Sequence, residues 1–234
     1  MSKQTVDIIK DLVEQIEATF TINSAIDNGN GTFTLNTDCT YWLTIGDIVE
    51  INAIKYKVVS FIINESITIK PITTGGLPVV STFDVIKPNY IHGTLKMAQN
   101  EVDAVLDKTM LVPFVYLFEI IRDRKNTDDE SMIERETELR IFFLNSANTS
   151  DWLTEDHYEN VIDPLQQMVN LFIKNIKNNK LFTDVLDYEC TPLINVSEQG
   201  NQEVSVFDCN LSGIELRLFA QIRVDLGCEL KCKC

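Results

Sequence analysis

The stretch Gly213-Ile214-Glu215-Leu216-Arg217-Leu218-Phe219-Ala220-Gln221-Ile222-Arg223-Val224 decides the fold. Apolar residues occupy every second position from Leu216 to Val224, and the positions between them are mostly polar or charged. A period of two is typical of a β-strand with one buried face, because successive side chains point to opposite sides. The sequence therefore predicts a closing strand whose apolar face lies against helices.

Earlier segments supply the rest of this sheet. Apolar runs predict strands at residues 114–121 and 139–144, and the second run is so apolar that both of its faces are expected to be covered. A further strand at 203–210 is predicted to form a hairpin with the closing strand through a turn at Leu211-Ser212-Gly213. Residues 122–138 are predicted to be a charged loop. The result is an α+β fold with about four strands in a mixed or antiparallel sheet.

Two amphipathic helices are predicted to cover one face of this sheet. Apolar residues recur every three or four positions between Thr5 and Phe20, as they do on one side of a helix. The same spacing follows Pro164 and continues to Ile176. Residues 94–108 fit either a helix or an extended arm.

Residues 22–88 have a different sequence pattern, with turn signals between short β-strand segments. Asp27-Asn28-Gly29-Asn30-Gly31 is a strong turn signal, because Asn and Gly accept positive φ. Short segments predicted to be β-strands follow it, and one of them begins directly after a turn at Gly46-Asp47. We therefore predict a small all-β module, barrel-like or sandwich-like, inserted into an α+β domain made of residues 1–21 and 89–234.

The charge balance limits the possible partners. Acidic residues outnumber basic ones by 35 to 20, and the formal net charge is −15. Binding to phosphates needs clustered Lys and Arg, so an acidic chain is a poor candidate for binding nucleic acid through its phosphates. No apolar run approaches the roughly 20 residues of a membrane span, and the first residues lack the apolar core of a signal peptide. We expect a soluble protein, made in the cytoplasm, with no membrane partner.

Chemical motifs are scarce. Cys228, Cys232 and Cys234 crowd the C-terminus, but they give three thiols without the paired spacing that is common in zinc sites. His92 and His157 each stand apart from any evident nucleophile. We therefore predict no metal site, no cofactor, no catalytic residues and no enzymatic activity.

An acidic run at Asp128-Asp129-Glu130 is predicted to be a solvated loop. Calcium loops place their ligands at alternating positions with a Gly turn and a distal Glu, and here the carboxylates are adjacent. The alternating Glu134, Glu136 and Glu138 are expected to lie on an exposed strand edge.

The order of these elements suggests a family. It runs from a helix through the strands Pro113-Phe114-Val115-Tyr116-Leu117-Phe118-Glu119 and Glu138-Leu139-Arg140-Ile141-Phe142-Phe143-Leu144 to a second helix and the closing strand. This order resembles that of the tail-terminator, tail-completion and head–tail connector proteins of tailed bacteriophages. The resemblance implies a structural subunit that forms a ring of six or twelve copies in the neck or tail of a virion. It implies portal, adaptor or tail-tube proteins as partners, with DNA passing through unbound.

A ring subunit needs a repeated surface for its neighbours. Our candidate interface residues come from two places: the side of the closing strand opposite its predicted buried face, and the charged segment 122–138. They are Arg217, Phe219, Arg223, Arg122 and Arg124. Residues 79–96 and 122–138 are candidates for arms that pair with a neighbour. The alternative, which rests on residues 22–88, is an adhesin-like or carbohydrate-binding module that decorates a virion.

Overall fold

The computed structural model describes residues 5–78, 81–85, 87–104, 112–125, 133–147, 151–194 and 211–224. These residues form an α+β fold, as predicted. The helices are α1 (Thr5–Glu14), α2 (Leu95–Ala104), α3 (Thr154–His157) and α4 (Asp163–Asn178), and a π-helical segment (Tyr158–Ile162) joins the last two. The strands are β1 (Thr19–Thr21), β2 (Ser24–Asp27), β3 (Phe33–Asn36), β4 (Ile48–Ile51), β5 (Ile54–Ile62), β6 (Ser66–Pro71), β7 (Thr82–Asp84), β8 (Asn89–Gly93), β9 (Phe114–Lys125), β10 (Ile133–Ser146), β11 (Phe182–Leu193) and β12 (Leu211–Val224).

The main sheet has five strands in the order β11-β12-β10-β9-β8. Its neighbours are antiparallel except for β8 and β9, which run parallel. The closing strand of the chain, β12, therefore lies inside the sheet between β10 and β11. A strand in that position is held by backbone hydrogen bonds on both edges, so it fixes the register of its neighbours.

The apolar face of β12 is buried as predicted. Leu216, Leu218 and Ala220 are fully buried, and Ile222 is 1% exposed. They share one core with apolar residues of α1 and α4. Burying a Leu or Ile side chain contributes about 2 kcal/mol, so this single strand makes a large contribution to the core.

The predicted turn at Leu211-Ser212-Gly213 is wrong, because all three residues lie in β12 and pair with β10. A Cβ atom on Gly213 would lie 2.0 Å from the carbonyl oxygen of Phe143. The glycine therefore permits a close approach of two strands rather than a reversal of the chain. The predicted partner strand at 203–210 lies outside the described residues. The observed partners of β12 are β10 and β11, and β11 was not predicted from the sequence.

The predicted charged loop at 122–138 is also wrong over most of its length. Strand β9 continues to Lys125 and β10 begins at Ile133, while residues 126–132 lie outside the described part. The register places Arg122 opposite Glu138 and Arg124 opposite Glu136. Opposite charges at facing positions favour antiparallel pairing, so a charged segment can extend a hairpin. Because β10 lies between β9 and β12, its glutamates are not on a sheet edge.

The segment 22–88 contains a second five-stranded sheet, ordered β2-β3-β6-β5-β4 and antiparallel throughout. Among the described strands, the outer strands β2 and β4 each pair with one neighbour, so the sheet is open. Of the two predicted forms, barrel-like and sandwich-like, a closed barrel is not formed. The predicted turn between β2 and β3 is confirmed: Gly29 and Gly31 have φ values of 73° and 79°, and the Gly29 amide donates to the Asp27 carboxylate.

A two-stranded sheet joins this segment to the rest of the chain. Strand β1 pairs with β7, which brings together the two ends of the inserted segment. The rings of Phe20 and Phe83 stack across this pair with centroids 4.7 Å apart. Buried residues of the inserted sheet and of the main-sheet face that packs on α1 and α4 belong to one continuous core. The proposed division into two domains remains a prediction.

Replacing Gly213 by alanine should destabilise the fold, because the new methyl group would collide with the backbone of β10. We expect the free energy of unfolding, measured in urea, to fall by about 2 kcal/mol or more. Gly76→Ala is the matched control, since a Cβ there meets no atom within 4 Å. A Gly213→Ala protein as stable as the control would contradict the strand placement.

Candidate interaction surface

The face of the main sheet opposite α1 and α4 is partly open. At one end α2 covers it, where Ala98 is fully buried against Phe114, Tyr116 and Leu144. Beyond this cluster the face presents side chains from β9, β10 and β12. We call these residues the open face: Phe118, Arg140, Phe142, Glu215, Arg217 and Phe219.

An ion cluster lies at the centre of the open face. Arg140 and Arg217 are facing residues of neighbouring strands, a placement that would bring two positive charges together. Glu215 lies between them: its Oε1 accepts from Arg140 Nε at 2.7 Å and from Arg217 Nε at 3.0 Å. One carboxylate thus joins two guanidinium groups that would otherwise repel each other.

The pKa values reflect this arrangement. Burial alone would raise the pKa of Glu215, but the hydrogen bonds and charges of Arg140 and Arg217 outweigh it, and the net pKa lies below its ordinary value. The bond to Glu215 raises the pKa of Arg217, and nearby Glu189 and Glu138 add to that rise. Both partners therefore remain charged across the physiological range.

Aromatic rings surround the cluster. The Arg140 guanidinium lies over Phe118 at 5.5 Å and over Phe142 at 5.6 Å from the ring centroids. Phe142 in turn stacks on Tyr116, with centroids 5.6 Å apart. Phe219, at 40% exposure, is the most exposed phenylalanine of the open face. This mixture of rings and paired charges is typical of protein–protein contacts, in which aromatic residues and Arg are enriched.

Acidic residues lie beside the cluster along β11. The register places Glu189 opposite Arg217 and Asp187 opposite Phe219, and both acids are exposed. With Glu138 and Glu215 included, carboxylates outnumber the guanidinium groups of Arg140 and Arg217. Such a surface does not favour phosphate and suits a partner with charges of both signs.

The predicted interface residues fall in this region of the sheet. Arg217 and Phe219 are exposed on the open face. By backbone register, Arg122 and Arg124 lie on β9 opposite Glu138 and Glu136, and Arg223 lies on β12 opposite Glu134. Arg140, Phe118 and Phe142 of the open face were not predicted from the sequence. The alternation Glu138-Leu139-Arg140-Ile141-Phe142 carried that signal, but the apolar content of 139–144 obscured it.

A second polar cluster is buried where the inserted segment meets the main sheet. The Thr44 amide donates to Asp47 Oδ2 at 2.8 Å, and Asn145 Nδ2 donates to Thr44 Oγ1 at 2.9 Å. Thr44 and Asn145 are fully buried, and Asp47 is 5% exposed. Burial raises the pKa of Asp47 to about 7, although hydrogen bonds with Thr44 and Asn145 act in the opposite direction. These contacts connect the loop before β4 to β10.

His157 and Ser212 form a hydrogen bond of 2.9 Å between Nδ1 and Oγ. A serine beside a histidine has the spacing of a nucleophile and its base. Ser212 is fully buried, however, and His157 is 4% exposed beneath the ring of Trp152. A substrate would have no route to the hydroxyl, so this pair serves packing.

The remaining candidate groups are dispersed. His92 stacks on Tyr90, with centroids 5.8 Å apart. Cys39 and Cys190 are free thiols in the described part of the chain, and burial raises the pKa of Cys190. No group of three potential metal ligands occurs among the residues that the structure covers. The C-terminal cysteines and Asp128-Asp129-Glu130 lie outside those residues.

A scan against protein-family models and searches of the curated proteins and of the solved structures gave no match. No helix within the described ranges is long and apolar enough to cross a membrane.

Glu215→Gln should destabilise the protein at pH 7, because it leaves Arg140 and Arg217 facing each other without the carboxylate. We expect a loss of about 2 kcal/mol in the free energy of unfolding. The Glu215 pKa is lowered in the folded state, so the wild-type advantage is present above the ordinary value of 4.5 and disappears as the pH falls below it. Glu189→Gln, at an exposed position, should change stability little. Equal losses in both variants would contradict the central role of Glu215.

Asp47→Asn should change the pH dependence of stability. The folded state keeps the Asp47 proton up to about pH 7, whereas the unfolded chain releases it near 3.8. The stability contributed by Asp47 is therefore complete below pH 3.8 and is lost as the pH rises to 7, by about 4 kcal/mol. The variant cannot ionise, so urea unfolding should show it more stable than wild type at pH 8. Parallel stability curves from pH 4 to pH 8 would contradict this reading.

Proposed function

We propose that this protein is a structural subunit that binds further copies of itself through the open face and builds a ring in the neck or tail of a bacteriophage. The observation that carries the proposal is the exposed ring of Phe219 beside the Arg140–Glu215–Arg217 cluster, with the partly buried rings of Phe118 and Phe142 under the Arg140 guanidinium. A surface on neighbouring strands keeps its shape on binding, which lowers the entropic cost of association.

The energetics of the open face favour a protein partner. Burying an unpaired charge is costly, but Arg140 and Arg217 already share the Glu215 carboxylate. Covering this cluster therefore costs less than covering two unpaired guanidinium groups, and Glu189 opposite Arg217 supplies a second carboxylate nearby. The exposed Phe219 ring supplies apolar area, and the acids along β11 would set the orientation of the partner.

The assignment to a phage neck or tail is supported by two further features. One is the resemblance in the order of helices and strands, which is that of tail-terminator and connector proteins. The other is the net charge of −15, because an acidic ring would repel the phosphates of DNA and let it pass without binding. On this proposal the adjacent rings are portal, adaptor or tail-tube proteins, and the protein belongs to the virion.

Light scattering coupled to size exclusion tests the assembly. We expect a concentration-dependent oligomer that negative-stain imaging resolves as a closed ring. Phe219→Glu should shift the equilibrium to monomer by placing a charge at the contact, by at least about 1.4 kcal/mol or tenfold in the association constant.

Leu153→Glu is the matched control, because Leu153 is 74% exposed at the start of α3, away from the open face. It should assemble as the wild type does. A wild-type protein that stays monomeric in the presence of its virion partners, or a Phe219→Glu ring identical to wild type, would refute the proposal.

A further inference from the structure

A cleft of about 440 Å³ separates the inserted sheet from the two-stranded sheet. It is lined by residues of β4, the turn after it, and β7: Ile48, Glu50, Ile51, Asn52, Thr82, Phe83 and Asp84. Consecutive residues of β7 line it, so the cleft meets the edge of that strand rather than one face. Its volume lies in the range of ligand pockets.

The backbone of β7 is open toward this cleft. Val85 N donates to Ala18 O at 2.9 Å, and Ile22 N donates to Ser81 O at 2.8 Å. In an antiparallel ladder, residues alternate between facing the partner strand and facing away from it. Ser81 and Val85 face β1, so Thr82 and Asp84 point their amide and carbonyl groups into the cleft.

The backbone of β4 is open in the same way. Val58 N donates to Asp47 O at 2.8 Å, so Asp47 faces β5. By the same alternation Val49 and Ile51 face β5, while Ile48 and Glu50 turn their backbone groups to the cleft. Among the described strands β4 pairs with β5 alone and β7 with β1 alone. Two open strand edges thus border one cleft.

We propose that this cleft binds an extended peptide segment of a partner protein, which pairs as a strand with both β4 and β7. Strand addition to an open edge takes its affinity from main-chain hydrogen bonds and its specificity from alternate side chains. Glu50 and Asp84 are exposed and border the cleft. They select a segment with Lys or Arg at alternate positions, because opposite charges on neighbouring strands attract.

This inference is independent of the open face. The cleft is lined by β4, the turn after it and β7, whereas the open face lies on β9, β10 and β12, and the inference holds whether or not the protein forms rings. Failure of assembly through Phe219 therefore leaves it intact, and failure of peptide binding leaves the proposed ring intact.

The probe is the peptide acetyl-Lys-Val-Lys-Val-Lys-amide, titrated into the full chain and followed by nuclear magnetic resonance. We expect slower amide exchange at Ile48, Glu50, Thr82 and Asp84. N-methylation of the two peptide valines should weaken binding at least about tenfold, because it removes strand hydrogen bonds. An acetyl-Glu-Val-Glu-Val-Glu-amide peptide should bind more weakly as well.

Two variants of the chain complete the test. Thr82→Pro removes an amide that points into the cleft, and a proline is tolerated at such an edge position, so the fold should persist while binding is lost. Thr82→Val keeps the amide and should bind as the wild type does. Binding that survives N-methylation or Thr82→Pro would reflect charge attraction alone and would overturn the proposal. No binding at millimolar peptide would overturn it too.

Discussion

The burial of one side of β12 is the constraint on which the rest of the structure depends. Leu216, Leu218 and Ala220 are fully buried in the core, together with apolar residues of α1 and α4. Because side chains alternate along a strand, that burial forces Glu215, Arg217 and Phe219 onto the opposite side. The position of β12 between β10 and β11 then extends the same division across the sheet. The core and the open face are two results of one alternation.

Some of this fold could be predicted from the sequence, since periodicity reports burial directly. The buried face of β12, α1, α4 and the turn at Asp27–Gly31 follow from local patterns of apolar residues and of Gly and Asn. Strand β11 could not be found in this way, because Asp184, Asp187 and Glu189 give it the composition of a loop. The turn at Gly213 was wrongly predicted because a glycine fits either a turn or a close contact between strands. Only the position of the neighbouring strand β10 distinguishes the two.

The candidate surface was predictable in part. The alternation placed Arg217 and Phe219 on an outer face, but it could not reveal that Arg140 faces Arg217 across the strands or that Glu215 bridges them, since such contacts depend on register. The buried Asp47–Thr44–Asn145 contacts join residues about a hundred positions apart and leave no local pattern. The cleft between β4 and β7 likewise appears only when two sheets are assembled in space.

The central claim is that another copy of the chain covers the open face, and hydroxyl-radical footprinting tests it most directly. Oxidation of Phe219 should slow when the protein passes from dilute monomer to its assembled form. Tyr188, which is 43% exposed and lies near Lys177 of α4, should oxidise at the same rate in both. Equal oxidation of Phe219 in the two forms would contradict the account, because the Phe219 side chain would then still be exposed to solvent in the assembly.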